Sequence, residues 1–316
     1  MVKAGDQNQE QSQYWLAVFG AAAAVTAWGS AGVVIRHIDM GGLAVAVYRF
    51  WIYAIALGVW MGARGTRIDL RILRHTMAGG IALALDVALF FSAVKETTIA
   101  NATVIGALQP IVVGAVAWRF FGERIRGRQI LLAAIALMAV TTVILGGASD
   151  NQASLFGDLL AVGALFAWSG YFIFSKASRD VLTPAEFTLG TALWTAALNT
   201  PLALLFGQDL SWPTTSDWGW LLLLAFGAGI VGHTAMNWSL VRIPLWLGST
   251  FTLLIPVAGT SLAWLFLDEA LKPVQIVAMF VVIGALAALV VDQTTADGAQ
   301  PAPADPEVQR PAVEPT

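Results

Sequence analysis

Residues 101–146 and 247–291 repeat one another. In the first stretch Pro110 is followed by Ala117, Trp118, Phe120, Glu123 and Gln129. In the second, Pro256 is followed by Ala263, Trp264, Phe266, Glu269 and Gln275. Each pair lies 146 residues apart. Six identities in fixed register, through two long apolar stretches and the turn between them, are hard to obtain from composition alone. They identify a duplicated chain, and internal repeats are a common way to build a small-molecule transporter.

The solvent for such a chain is lipid. It has 316 residues, 58% of them hydrophobic and 12% charged, where a soluble domain carries roughly 25% charged residues. Ten stretches are long enough to cross a bilayer core, which takes roughly 20 apolar helical residues. They are 14–34, 41–63, 76–94, 97–119, 127–146, 154–174, 185–206, 218–240, 245–267 and 273–292. Backbone groups in lipid must bond internally, so each is expected to be a helix. The first is longer than a signal-peptide core and has a partner in the second half, so it counts as a span. The expected fold is an all-α membrane protein of ten transmembrane helices. Residues 1–13 form a polar, flexible N-terminus, 14–146 the first five-helix unit and 154–292 the second. Residues 293–316, rich in Pro, Ala, Asp and Glu, form a disordered tail.

Basic residues orient the chain. Thirteen of the seventeen Lys and Arg fall at the end that bears the N-terminus; Arg36, Lys95 and Lys272 fall at the other, and Arg49 lies inside the second span. Both termini are therefore expected in the cytoplasm. Five spans per unit invert the second unit relative to the first. The first helices of the two units agree, with Ala27-Trp28 matching Ala167-Trp168.

Polar groups deep in lipid are costly and mark candidate sites. Here they are Arg49, Asp86, Asn101, Gln109, Asn199, His233 and Asn237, each expected to face the bundle interior. Arg49 is either a carboxylate ligand, a partner for Asp86, or a side chain that snorkels to the interface or bonds helix-end carbonyls. Asp86 fits proton coupling, a substrate amino group, or a structural hydrogen bond. His233 and Asn237, four residues apart, share a helix face and fit either substrate contact or helix–helix bonding. Pro110 and Pro256 break their helices at equivalent depths, each freeing a carbonyl; they suit a hinge better than a ligand contact, with a plain packing kink as the alternative. Trp28 and Trp168, with Phe90, Phe91 and Tyr171, could wall an aromatic cavity or pack as bulk. Glu123 and Glu269 stand at helix ends before Arg124 and Lys272, where caps or salt bridges would order the following turn.

The chain has no cysteine and three histidines, so neither a metal site nor a cofactor is expected. No phosphate-binding loop, H-E-x-x-H or nucleophile elbow occurs, and no nucleic-acid partner is expected.

The runs ATVIGALQPIVVGAVAWRFFGERI (102–125) and GHTAMNWSLVRIPLWLGSTFTLLIPVAGTSLAWLFLDEAL (232–271) resemble the two EamA domains of the drug/metabolite transporter superfamily, with Asp268-Glu269 in place of the usual Gly-Glu. The resemblance spans about 14–292. It implies two inverted EamA repeats and an alternating-access exporter of amino acids, including aromatic ones and threonine, or related metabolites. Drugs, quaternary ammonium compounds and nucleotide-type metabolites are alternative cargoes; a membrane enzyme or sensor fits poorly. Carried over by position, the implied cavity residues are Trp28, Asp86, Phe90, Gln109, Pro110, Trp168, Tyr171, His233, Asn237 and Pro256. Arg49, Glu123 and Glu269 complete the structural set. The expected partners are a small-molecule substrate and lipid, with a monomer and a homodimer both compatible.

Overall fold

The computed structural model describes residues 4–66, 68–147 and 154–298. All regular elements among them are helical. They run as α1 (Ala4–Ile35), α2 (Gly42–Ala63), α3 (Leu70–Glu96), α4 (Ile99–Gly106), α5 (Gln109–Phe120), α6 (Gly127–Gly146), α7 (Leu155–Ala177) and α8 (Pro184–Leu205). Then come α9 (Thr215–Leu224), a π-helical segment (Ala225–His233), α10 (Thr234–Leu240), α11 (Leu245–Thr250), a 3-10 turn (Phe251–Leu253), α12 (Leu254–Phe266) and α13 (Pro273–Gly298). Joined across their breaks, these make ten rods. Nine are long and apolar enough to cross a membrane among the described residues. The tenth, α8, carries Thr188, Thr191, Thr195 and Asn199, all fully buried on one helical face. That polar stripe lowers its hydropathy because α8 is an interior helix, packed against α2 and α3. The chain is a multi-pass membrane protein.

Three expected boundaries are corrected. Residues 4–13 are helical, not a flexible tail: α1 starts at Ala4 and α13 reaches Gly298. The α3 helix begins at Leu70 rather than 76 because Asp69 accepts from the amide of Ile72 at 3.0 Å. Reading apolar length alone misses polar turns that stand outside the hydrocarbon core. The expected linker at 148–153 and the tail from 299 lie outside the described residues.

Equivalent residues do equivalent local work. Gln129 accepts from the amide of Arg126 at 2.9 Å, and its mate Gln275 from the amide of Lys272 at 3.0 Å. Each thus closes the start of its helix. Gly122 and its mate Asp268 both adopt positive φ, 67° and 55°, ending α5 and α12 in the same left-handed turn. Glycine does so without strain; aspartate tolerates it at a small cost. Trp118, Phe120, Trp264 and Phe266 are exposed, as expected of an aromatic belt facing lipid and headgroups.

The interior is held by close helix contacts. At Gly29 an added Cβ would meet the Cβ of Ala258 at 2.7 Å and the amide of Gly259 at 2.9 Å. Small residues thus let α1 and α12 cross backbone to backbone, the way membrane helices gain packing energy without a hydrophobic drive. Elsewhere α3 packs on α7 and α8, and α6 on α13.

Candidate functional site

A cavity of about 270 Å³ opens between α1, α2, α3, α4, α7 and α12. Its lining residues include Trp28, Arg49, Asp86, Phe90, Thr103 and Ala164. These lie late in α1 and α3 and early in α2, α4 and α7. All therefore sit in the half of the bundle that ends at Arg36 and Glu269. The other half is closed, with Tyr53, Tyr171, Phe172, Met236 and Leu240 at or near zero exposure.

The site centres on the two tryptophans. Trp28 and Trp168, repeat mates, meet edge to face at 5.1 Å. The indole Nε1 of Trp28 donates to the carbonyl of Ala228 at 3.0 Å, and Arg49 Nη2 reaches the same carbonyl at 3.4 Å. Ala228 belongs to the π-helical segment, a wider turn that often marks functional positions in otherwise regular helices. That segment also carries His233. Arg49 Nη2 lies 3.4 Å from His233 Nε2, and Tyr171 Oη lies 3.0 Å from His233 Nδ1. A guanidinium can only donate, so Nε2 accepts and the proton sits on Nδ1, which donates to Tyr171. Arg49 thereby fixes the neutral tautomer of His233.

Behind Tyr171 lies a fully bonded polar cluster. Asn237 Nδ2 donates to Tyr171 Oη at 2.8 Å and to Thr188 Oγ1 at 2.9 Å, while Ser175 Oγ donates to Asn237 Oδ1 at 2.8 Å. Buried polar groups that satisfy one another across helices stabilise one packing of those helices. This cluster ties α7, α8 and α10 together in the closed half.

The expected site residues divide accordingly. Trp28, Arg49, Asp86, Phe90, Trp168, His233 and Pro256 line the cavity. Tyr171 and Asn237 do not; they stand one layer behind it, because the cavity ends at His233. Phe91 packs beside Gly42 instead of into the space. Gln109 is fully buried and accepts from Thr252 Oγ1 at 2.9 Å, leaving its Nε2 unpaired. Pro110 follows the break between α4 and α5, and Pro256 follows the 3-10 turn. Each break falls close to the carbonyl four residues before the proline, where the ring would clash. Arg49 does not snorkel: its guanidinium faces the cavity, with Nε unpaired. No salt bridge joins it to Asp86 among the described residues, although both face the same space.

Glu123 and Glu269 do not order their own following turns. Glu123 accepts from the amides of Leu245 and Trp246 at 2.7 and 3.1 Å, and Glu269 pairs with Arg36 at 2.5 Å. Both act on the other half of the chain, because inversion brings each helix end beside its counterpart unit. Sequence reading missed Lys176, which is 5% exposed and donates to the carbonyls of Leu240 and Ile243 at 2.6 and 2.7 Å. Its signal was available: Lys176 stands 140 residues after Arg36, the spacing that relates Trp28 to Trp168.

Comparison with known proteins agrees with this architecture. A crystal structure of a protein superposes with a TM-score of 0.76 at 22% identity, covering 87% of this chain and 97% of that one, a likeness of fold. A probable amino-acid metabolite efflux pump of Salmonella typhimurium is 26% identical over 280 residues, which is 83% of this chain and 90% of that protein. The aromatic amino acid exporter YddG of Ancylobacter novellus is 31% identical over 155 residues, about half of each chain (48% and 52%). The EamA-like transporter family matches residues 15–145 and 155–291, one stretch per repeat. This chain belongs to the EamA-like transporter family.

Proposed function

We propose that the protein exports amino acids or closely related zwitterionic metabolites across the bacterial inner membrane by alternating access. One observation carries this reading: Arg49 and Asp86 face one apolar cavity without pairing with each other. An acidic and a basic side chain that leave each other free in such a space suit a ligand that brings a partner for each. The substrate carboxylate meets the guanidinium of Arg49 and the ammonium meets Asp86. Trp28, Trp168 and Phe90 offer a wall for an apolar or aromatic side chain. The cavity volume of about 270 Å³ lies near the lower end of ligand pockets, roughly 300 Å³, which favours a single small metabolite over a nucleotide sugar. Arg49 at the wall also disfavours a purely cationic drug.

The charge bias supports cytoplasmic termini, which makes the cavity half the outer half and this structure an outward-open state. The amino-acid metabolite and aromatic amino-acid relatives support the cargo class. The test is efflux from preloaded proteoliposomes with a panel of amino acids, quaternary ammonium compounds and nucleotides. Saturable amino-acid efflux that Arg49→Met reduces by about a hundredfold, the scale of losing a bonded charge contact, is the expected result. Transport of only cations or nucleotides would overturn it.

A further inference from the structure

The two ends of the bundle carry repeat-related ionic clasps, and in this structure they are in opposite states. At the closed end Glu123 spends its carboxylate on the amides of Leu245 and Trp246. Lys176 spends its ammonium on the carbonyls of Leu240 and Ile243. Both grip the single turn between α10 and α11. Their mates at the open end are Glu269 and Arg36, 146 and 140 residues away. These two hold each other at 2.5 Å, with side chains 45% and 63% exposed.

The turn they would grip by symmetry is the one between α3 and α4. The mates of Leu245 and Trp246 are Ile99 and Ala100; those of Leu240 and Ile243 are Val94 and Thr97. First-turn amides and last-turn carbonyls of helices have no intrahelical partner. No hydrogen bond joins Glu269 to Ile99 or Ala100, or Arg36 to Val94 or Thr97, among the described residues.

We propose that Glu123 with Lys176 and Glu269 with Arg36 are alternating gate clasps, exchanged once per transport cycle. Opening the closed end releases Glu123 and Lys176 from the 240–246 turn, and closing the open end breaks the Arg36–Glu269 pair. Glu269 then caps Ile99 and Ala100, and Arg36 takes the carbonyls of Val94 and Thr97. The exchange keeps the count of charge-assisted bonds nearly constant, so neither state is a deep trap and substrate decides between them. It also accounts for the carboxylate in the repeat motif, at a place remote from the cavity. This rests on the alternating-access reading above.

The test uses two repeat-mate reporters in the cysteine-free chain. Thr103→Cys sits on the cavity wall; Ser249→Cys sits at the equivalent, fully buried point of the closed half. Each is labelled with a membrane-impermeant thiol reagent from its own side, in intact cells and inverted vesicles. With a clasp of two charge-assisted bonds, Glu123→Ala should raise labelling at 249 by about tenfold and lower it at 103. Lys176→Met should act in the same sense. Glu269→Ala and Arg36→Met should lower labelling at 249. Shifts in one direction for both glutamates, or none while the unmutated reporters respond to substrate, overturn the clasps. If Glu123→Ala does not fold, the exposed pair Glu269 and Arg36 decides alone: unchanged labelling at 249 refutes the proposal. Absence of any labelling at 249 with substrate present refutes alternating access itself, and the clasps with it.

Discussion

The open and closed halves of the bundle are built from the same repeat, yet their polar residues live in different circumstances. In the closed half Asn237 is hydrogen-bonded to Tyr171, Thr188 and Ser175. In the open half Asp86 faces a cavity and forms no salt bridge among the described residues. Glu123 is docked on backbone donors, whereas Glu269 holds an exposed arginine. One duplicated sequence thus supports a satisfied set and an available set at the same time. The satisfied set holds the helices; the available set is where a ligand can gain binding energy.

The sharpest way to break this comparison is Asp86→Asn. Asp86 is the one carboxylate on the cavity wall among the described residues, so a proton carried against substrate is expected to be carried there. The variant should lose accumulation driven by a pH gradient while keeping substrate counterflow and normal expression. A full response to the gradient would move Asp86 into the structural set and favour facilitated diffusion.

Asn237→Leu should do the reverse. It removes three interhelical hydrogen bonds in the closed half, to Tyr171, Thr188 and Ser175, and should cost about 1–2 kcal/mol of stability, the upper range for interhelical bonds in membranes. Melting in detergent measures the loss, and substrate affinity should change little because Asn237 lies behind the cavity. An unchanged melting temperature with weakened substrate binding would exchange the roles assigned to the two halves.

The smallest effect concerns the repeat itself. Asp268→Gly makes the second copy match Gly122 at the same left-handed turn. Relief of the positive-φ strain should stabilise the chain by about 0.5 kcal/mol. Gly122→Ala should destabilise it by a similar or larger amount. Destabilisation by Asp268→Gly would mean that the aspartate side chain contributes more than its backbone costs.

Much of the fold was legible because its signals are local. Hydropathy and length mark the spans, proline marks the breaks, and the glutamines at 129 and 275 cap helices three residues away. The one helix that hydropathy undervalues, α8, turns its polar face to protein rather than lipid, which composition does not distinguish. Of the candidate site, the cavity tryptophans, Arg49, Asp86 and His233 could be named from their depth in the membrane. Which of them reach one space could not, since Tyr171 and Asn237 carry the same polar signal one layer further back.

The sequence by itself determined the duplication, the inversion that five spans per unit impose, and the short roster of costly buried polar groups. It also held, unread, the spacing that pairs Arg36 with Lys176. Only the tertiary structure decided which end is closed, which polar residues satisfy one another, and where Glu123 and Glu269 bond. The reason is physical. A repeat gives both ends the same groups, and two packings of one bundle differ by a small free energy, so the choice between them lies in contacts between helices far apart in the chain rather than in any residue's own preference.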